Sequence, residues 1–267
     1  MAVLKDQVYC QMKYALSILS GLLFFVSLYV NFLAGSGQLN NKGTGEISAL
    51  YPTLFTPAGV TFSIWGIIFI LNTVFVLSQI YIAFKKPLAW NLRLNSTYII
   101  LSLTNMSWLF LWHHLHVSIA LIVIVLYLLC TLDAFVVAQK LKEDKSFAHR
   151  FAYFNFSIYA GWLSVATIAN TAVCLTTIGV PSMGTLAVTL TILVLIVAVL
   201  LGYFFLFGQN NYWYPMVLVW AFFGIYLASA QKLNEDATFV KWAALAGMVV
   251  LCLLAAFMLT RSVIAKK

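Results

Sequence analysis

The groups that could do acid–base or metal chemistry in this chain are few. The seven acids are Asp6, Glu46, Asp133, Glu143, Asp144, Glu235 and Asp236, and only Asp133 falls inside an apolar stretch. A carboxylate in a membrane span is costly and is a functional candidate by default. Against that, Asp133 lies about two turns from the end of its segment, where Thr131 or nearby hydroxyls could bind it as a headgroup-level acid, and both readings stay open. His113, His114 and His116 cluster in the pattern H-H-x-H, which could ligate a metal or a haem iron. Adjacent helical residues diverge by about 100°, and no fourth ligand stands near in sequence, so interfacial histidines in a tight turn are the favoured reading. No Walker loop, H-E-x-x-H or G-x-S-x-G occurs, and no set of convergent ionisable groups offers catalysis. No catalytic, metal-ligating or required-cofactor residue is assigned. The four cysteines, Cys10, Cys130, Cys174 and Cys252, lack C-x-x-C spacing and read as small buried hydrophobes without a disulfide framework.

Aromatic residues are the more telling feature. Eight Trp, 13 Tyr and 21 Phe make up 16% of the chain. Trp90, Trp213 and Trp242 suit the membrane interface, whereas Trp65, Trp108, Trp112, Trp162 and Trp220 fall within spans. Trp108 and Trp112 are four residues apart and share a helix face. Asn72, Asn105, Ser107, Asn155, Ser164, Thr167 and Asn170 lie in the same spans. Polar residues there either join helices or, with Trp and Tyr, line an interior pocket for a flat, largely apolar ligand.

The elements that must position these residues are membrane helices. Charged residues are only 8% of the 267, and the hydrophobic set is 63%; a soluble domain carries about 25% charged residues. That balance excludes a water-soluble globular protein, a disordered chain and a nucleic-acid binder. Eight apolar segments run over residues 14–34, 60–84, 95–113, 117–139, 152–177, 185–207, 213–231 and 239–260. Each is long enough to cross as a helix, since a span needs about 20 residues and the backbone must satisfy itself in lipid. The fold class is therefore all-α, a polytopic bundle of about eight spans. The first segment has a basic lead-in (Lys5, Lys13) and a small-residue exit (Ala34-Gly35-Ser36), as a signal peptide would; its apolar stretch of about 20 residues favours a retained helix.

The net charge of +8 reports topology in such a protein. With the N-terminus cytoplasmic, twelve of the fifteen cationic residues fall on the cytoplasmic side and only Lys42, Lys232 and Lys241 opposite. This predicts both termini inside. The one long outer loop, 35–58, contains Gly43-Thr44-Gly45 and ends in Tyr51-Pro52…Phe55-Thr56-Pro57; it reads as a flap over the outer end of the bundle. The segment 140–150 is a charged cytoplasmic connector, and 208–215 is an uncharged turn with interfacial aromatics.

Three stretches carry a family resemblance. Phe55-Thr-Pro-Ala-Gly-Val-Thr-Phe-Ser-Ile-Trp65 resembles F-T-P-P-x-x-x-F-x-x-x-W; Asn105-Met-Ser-Trp108-Leu-Phe110 resembles an N-x-x-W pattern; and Tyr159-Ala-Gly-Trp162…Ala166-Thr167-Ile-Ala-Asn170 resembles Y-x-x-W…A-T-x-x-N. In this order and register they are similar to the tryptophan-rich sensory protein / translocator protein (TspO/MBR) family. The resemblance covers a five-helix unit, residues 1–178, and leaves 179–267 as about three additional helices. Ala58 stands where that pattern has its second proline, Val60 where a Trp is frequent, and Ser157-Ile158 where a proline precedes the tyrosine. The resemblance implies a bundle pocket, covered by the first loop, for a tetrapyrrole such as haem or protoporphyrin, or for a sterol-like molecule. Its candidate residues are Pro57, Phe62, Trp65, Asn105, Trp108, Tyr159, Trp162, Ala166 and Asn170. The bound porphyrin or haem would be a ligand, not a required cofactor.

The leading expectation is a ligand-binding sensor or regulator in a bacterial inner membrane, with lipid and a hydrophobic small molecule as partners, no nucleic acid, and a homodimer as a further expectation. A transporter of a small hydrophobic or anionic metabolite is the alternative, with the three added helices completing a pathway. An enzyme acting within the bilayer comes third, for want of convergent ionisable groups.

Overall fold

The computed structural model describes residues 2–85, 89–141, 146–232 and 234–264. Among the basic residues counted above, Lys86, Lys142, Lys145, Lys266 and Lys267 lie outside the described residues, as do Glu143 and Asp144; the side chains of Lys5, Asp6, Cys10, Lys85 and Trp90 do so too. Among the described residues every regular element is helical. Eight long helices form: α1 (Ala2–Gly35), α3 (Ile64–Lys85), α4 (Ala89–His113), α5 (Val117–Leu141), α6 (Phe147–Thr177), α7 (Thr185–Tyr203), α8 (Trp213–Ala230) and α9 (Glu235–Ile264). A short helix, α2 (Thr44–Ala49), and a 3₁₀ turn, Gly59–Ser63, interrupt the long loop, and a π-turn, Phe204–Gly208, closes α7.

Seven of the eight are long and apolar enough to cross a membrane. The remaining one, α4, carries Arg93, Asn95, Ser96, Thr97 and Asn105, which dilute an otherwise spanning length of 25 residues. The helices overrun the apolar segments at their polar ends, α1 by about a dozen residues and α4 by six. A helix need not stop where the hydrocarbon does, because its own hydrogen bonds satisfy the backbone in water and lipid alike. The outward faces carry Leu22, Phe32, Ile70, Ile122, Leu200 and Leu253, all exposed, while smaller and polar residues turn inward; this is the pattern expected where lipid is the solvent.

The chain forms two compact units. The first comprises residues 1–44 and 65–156, the second 45–64 and 157–267. In the first, α4 packs between α1 and α5. Small and polar residues make the seams: a Cβ on Gly21 of α1 would sit 3.0 Å from Ile80 of α3, Asn95 of α4 donates to Ser17 of α1 at 2.8 Å, and Asn155 of α6 donates to Asn72 of α3 at 2.9 Å. Phe75, Tyr98 and Phe156 fill the space between, with ring centroids 5.0–6.4 Å apart.

In the second unit α9 lies along α7 and α8. Gly161 of α6 approaches α8 so closely that a Cβ there would be 3.0 Å from Val217 and 3.1 Å from the Tyr214 carbonyl. Asn211 fixes the turn before α8. Its Oδ1 accepts from the N–H groups of Trp213 and Tyr214, at 2.9 and 3.0 Å, and its amide donates to Ser157 at 2.7 Å. Tyr214 stacks on Phe205 of the π-turn, 3.6 Å between centroids, and its hydroxyl donates to Ser164 at 2.8 Å.

Candidate functional site

The sequence-predicted residues divide between the two units. Trp65, Asn105 and Trp108 belong to the first; Pro57, Phe62, Tyr159, Trp162, Ala166 and Asn170 belong to the second.

In the first unit the tryptophans form a ladder. Phe69 stacks on Trp65 (5.6 Å between centroids, 18° between planes), Trp65 on Trp108 (6.3 Å, 29°) and Trp108 on Trp112 (6.0 Å, 20°). The i, i+4 spacing predicts two of these contacts; that between α3 and α4 comes from tertiary packing. Trp108 and Trp112 are buried, while Trp65 is half-buried. Trp112 donates its indole N–H to the Thr44 carbonyl at 3.3 Å. Asn105 is 2% exposed and turns toward α1: its Oδ1 accepts from Ser27 at 2.7 Å and from Asn31 at 2.6 Å.

The histidine cluster resolves into a clasp. His113 Nδ1 lies 2.8 Å from Asn40 Oδ1, a carbonyl oxygen, so this nitrogen carries the proton. Nε2, 3.0 Å from Thr44 Oγ1, then accepts from the hydroxyl. Asn40 also donates to the His113 carbonyl. His114 bonds its own helix at the Phe110 carbonyl, 2.8 Å away, and His116 turns the chain into α5 through its backbone. Both ring nitrogens of His113 are thus engaged in holding loop residues 40–44 to the end of α4, and among the described residues no three metal-ligating side chains come together.

Asp133 is paired. Arg93 of α4 meets its Oδ1, and Thr97, one turn further on, donates to Oδ2 at 3.1 Å. Spacing of four on α4 presents both donors to one carboxylate. The partners are not Thr131, whose hydroxyl bonds the Tyr127 carbonyl within α5.

In the second unit Phe62 meets Trp162 edge to face at 6.0 Å and 86°. Trp162 is the largest fully buried side chain at 1% exposed, with Tyr159 and Asn170 at 4% and Ala166 at 9% along the same helix. Pro57 is buried and Phe62 half-buried. The Asn170 amide donates back to the Ala166 carbonyl at 2.9 Å. The loop that carries Pro57 and Phe62 is packed, not loose: Ile47, Leu54 and Phe55 are buried, Thr53 and Thr56 bond each other at 2.8 Å, and the Ala58 N–H donates to the Gly224 carbonyl of α8 at 2.9 Å.

Two apolar hollows also lie in this unit. One of about 140 Å³ sits between α6 and α7 under Phe55, and one of about 310 Å³ between α8 and α9, near Trp213 and Cys252. Neither is lined by the predicted residues.

Other expectations need correction. Ser107 is exposed, on the outward face of α4, and so supports no interior pocket. Cys252 is exposed on α9, while Cys130 and Cys174 are only partly covered. A thiol in lipid needs no burial in protein to behave as a hydrophobe. Trp213 and Trp242 are exposed, at 44% and 58%, with Lys241 lying 4.9 Å over the Trp242 ring.

A family model described as "TSPO-like protein" matches residues 17–257. The match extends through α7 and α8 and most of α9. No curated protein and no solved structure matches the chain.

Proposed function

The chain belongs to the TSPO-like protein family and is an integral, multi-pass membrane protein, and on that premise we propose that it binds a flat, hydrophobic small molecule, a tetrapyrrole or a sterol-like compound, within the membrane and acts as a sensor or regulator. The observation that supports this reading is the ladder Phe69–Trp65–Trp108–Trp112, four near-parallel aromatic rings of which Trp65 is half-buried. A porphyrin face stacks on such rings at about 0.5–1.5 kcal/mol per aromatic contact beyond its buried area, and an aliphatic sterol face packs on them by apolar burial alone. We place the protein in a bacterial inner membrane with both termini inside, as the distribution of lysine and arginine favours.

Titration of the detergent-purified protein with protoporphyrin IX, read by tryptophan fluorescence, tests this. Saturable quenching with a micromolar midpoint, raised about three- to tenfold by Trp65→Phe and by Trp108→Phe, is the expected result. Linear quenching that neither substitution alters is partition into the micelle. It would remove the tetrapyrrole reading and put transport of a small metabolite first.

A further inference from the structure

Within the second unit, the segment 53–63 meets α8 at one place and through three separate contacts. The Ala58 N–H donates to the Gly224 carbonyl at 2.9 Å. The Trp220 indole N–H, one turn earlier on α8, donates to the Thr61 carbonyl at 3.0 Å. Thr61, 0% exposed, lies directly against Gly224: a Cβ built there would overlap Thr61 Oγ1 and come within 2.8 and 2.9 Å of its Cγ2 and Cβ. The neighbouring Phe62 is the residue whose ring meets Trp162.

We infer that α8 is the dock for this strap, with Ala58, Trp220 and Gly224 as the residues that hold it down and so position Phe62 against Trp162. Each contact is of a different kind, and each has its own requirement. The first requires a backbone donor at 58. Ala58 sits at φ −57° and ψ 147°, a conformation proline adopts without strain. Backbone geometry therefore does not demand alanine there, and what alanine supplies over proline is its N–H. Ala58 is also the place where the resembling motif has its second proline, and α8 lies in the segment beyond the five-helix unit. The donor at 58 and its acceptor on α8 thus match one another. The second contact requires an indole N–H at 220, and the third requires the absence of a side chain at 224.

The dock can be tested without any ligand, so it stands or fails separately from the tetrapyrrole reading. Thr53 is 5% exposed and bonded to Thr56. In a background with the four native cysteines replaced by serine, Thr53→Cys reports lifting of the strap through its rate of reaction with a water-soluble maleimide. Ala58→Pro puts a ring carbon in place of the N–H that meets the Gly224 carbonyl, and Trp220→Phe removes the indole N–H together with one ring; each should raise the rate about three- to tenfold. Gly224→Ala displaces Thr61 and should raise it at least as much, while Trp213→Phe, on the outward face of α8, should leave it unchanged. Rates within twofold of the parent in Ala58→Pro, Trp220→Phe and Gly224→Ala alike, each eluting as a single sharp peak with unchanged helix content by circular dichroism, would overturn the dock. Should Gly224→Ala fail that folding check, the other two variants decide.

Discussion

Asn105 takes two hydrogen bonds from α1 on a single carboxamide oxygen, from Ser27 and Asn31. In a membrane interior no water competes for those donors, so such a clasp contributes about 0.6–2 kcal/mol. Asn105→Leu should therefore lower the thermal midpoint in detergent by several degrees, with Ser27→Ala, which removes one of the two donors, falling about halfway. A drop equal in both would mean that the Asn31 bond contributes nothing. Asp133 behaves differently. Its ion pair with Arg93 is partly open, with the two side chains about 60% and 38% exposed, and solvent screens such pairs to roughly 0–1 kcal/mol. Asp133→Asn should cost less than about 1 kcal/mol in chemical denaturation; a larger loss would reveal a role beyond pairing. At this scale the sequence tells which residues are out of place in lipid, but not what they meet. Asn105 reads equally as a pocket residue or as helix glue until α1 is laid beside it. His113 reads as an interfacial histidine, with metal ligation as the lesser alternative, and neither reading names Asn40 and Thr44, some seventy residues earlier, which take both its nitrogens. The Ala58 contact could not be read at all, because a backbone N–H leaves no mark in residue type beyond the absence of proline.

Helix seams follow the small residues. Gly161 lets α6 settle on α8, and the seam is fastened by two side-chain bonds, Asn211 to Ser157 and Tyr214 to Ser164. A leucine at 161 would have to push Val217 and the Tyr214 carbonyl aside, and overpacking of this kind costs about 1–3 kcal/mol. Gly66 on α3 has nothing within 4 Å of a built Cβ. Gly161→Leu should thus lower the thermal midpoint well below that of Gly66→Leu, and equal midpoints would show that the seam yields. The existence of the eight helices was legible, since apolar length alone dictates it. Their pairing was not. Hydropathy does not say that α4 lies between α1 and α5, or that α9 lies along α7 and α8, because every lipid-compatible face looks alike to a hydropathy scale. The aromatic ladder was half legible: the spacing of Trp108 and Trp112 predicts their stacking, whereas Trp65 reaches Trp108 only through the packing of α3 on α4.

For the molecule as a whole, the distribution of charge is the one long-range instruction that sequence carries openly. With the N-terminus inside and eight crossings, twelve of fifteen cationic residues fall on the inner side, and the charge rule favours that arrangement. Seven helices are apolar enough to cross unaided, and the parity rests on α4. If α4 crosses, His113 and its clasp to Asn40 and Thr44 stand on the outer side, and Arg93 with Asp133 on the inner. If it does not, every later connection changes sides, and Arg150 and Arg261 would face outward against the charge rule. The polar residues of α4 do not forbid crossing, because Asn95 bonds Ser17 and Ser20 of α1, the Asn105 oxygen accepts from Ser27 and Asn31 of α1, and Arg93 lies near the helix end, where its long side chain can reach the headgroups. A reporter enzyme active only in the cytoplasm, fused after residue 267, should therefore be active, and one fused after residue 115 inactive. Activity at 115 together with inactivity at 267 would mean that α4 remains on one side and that the span count is seven.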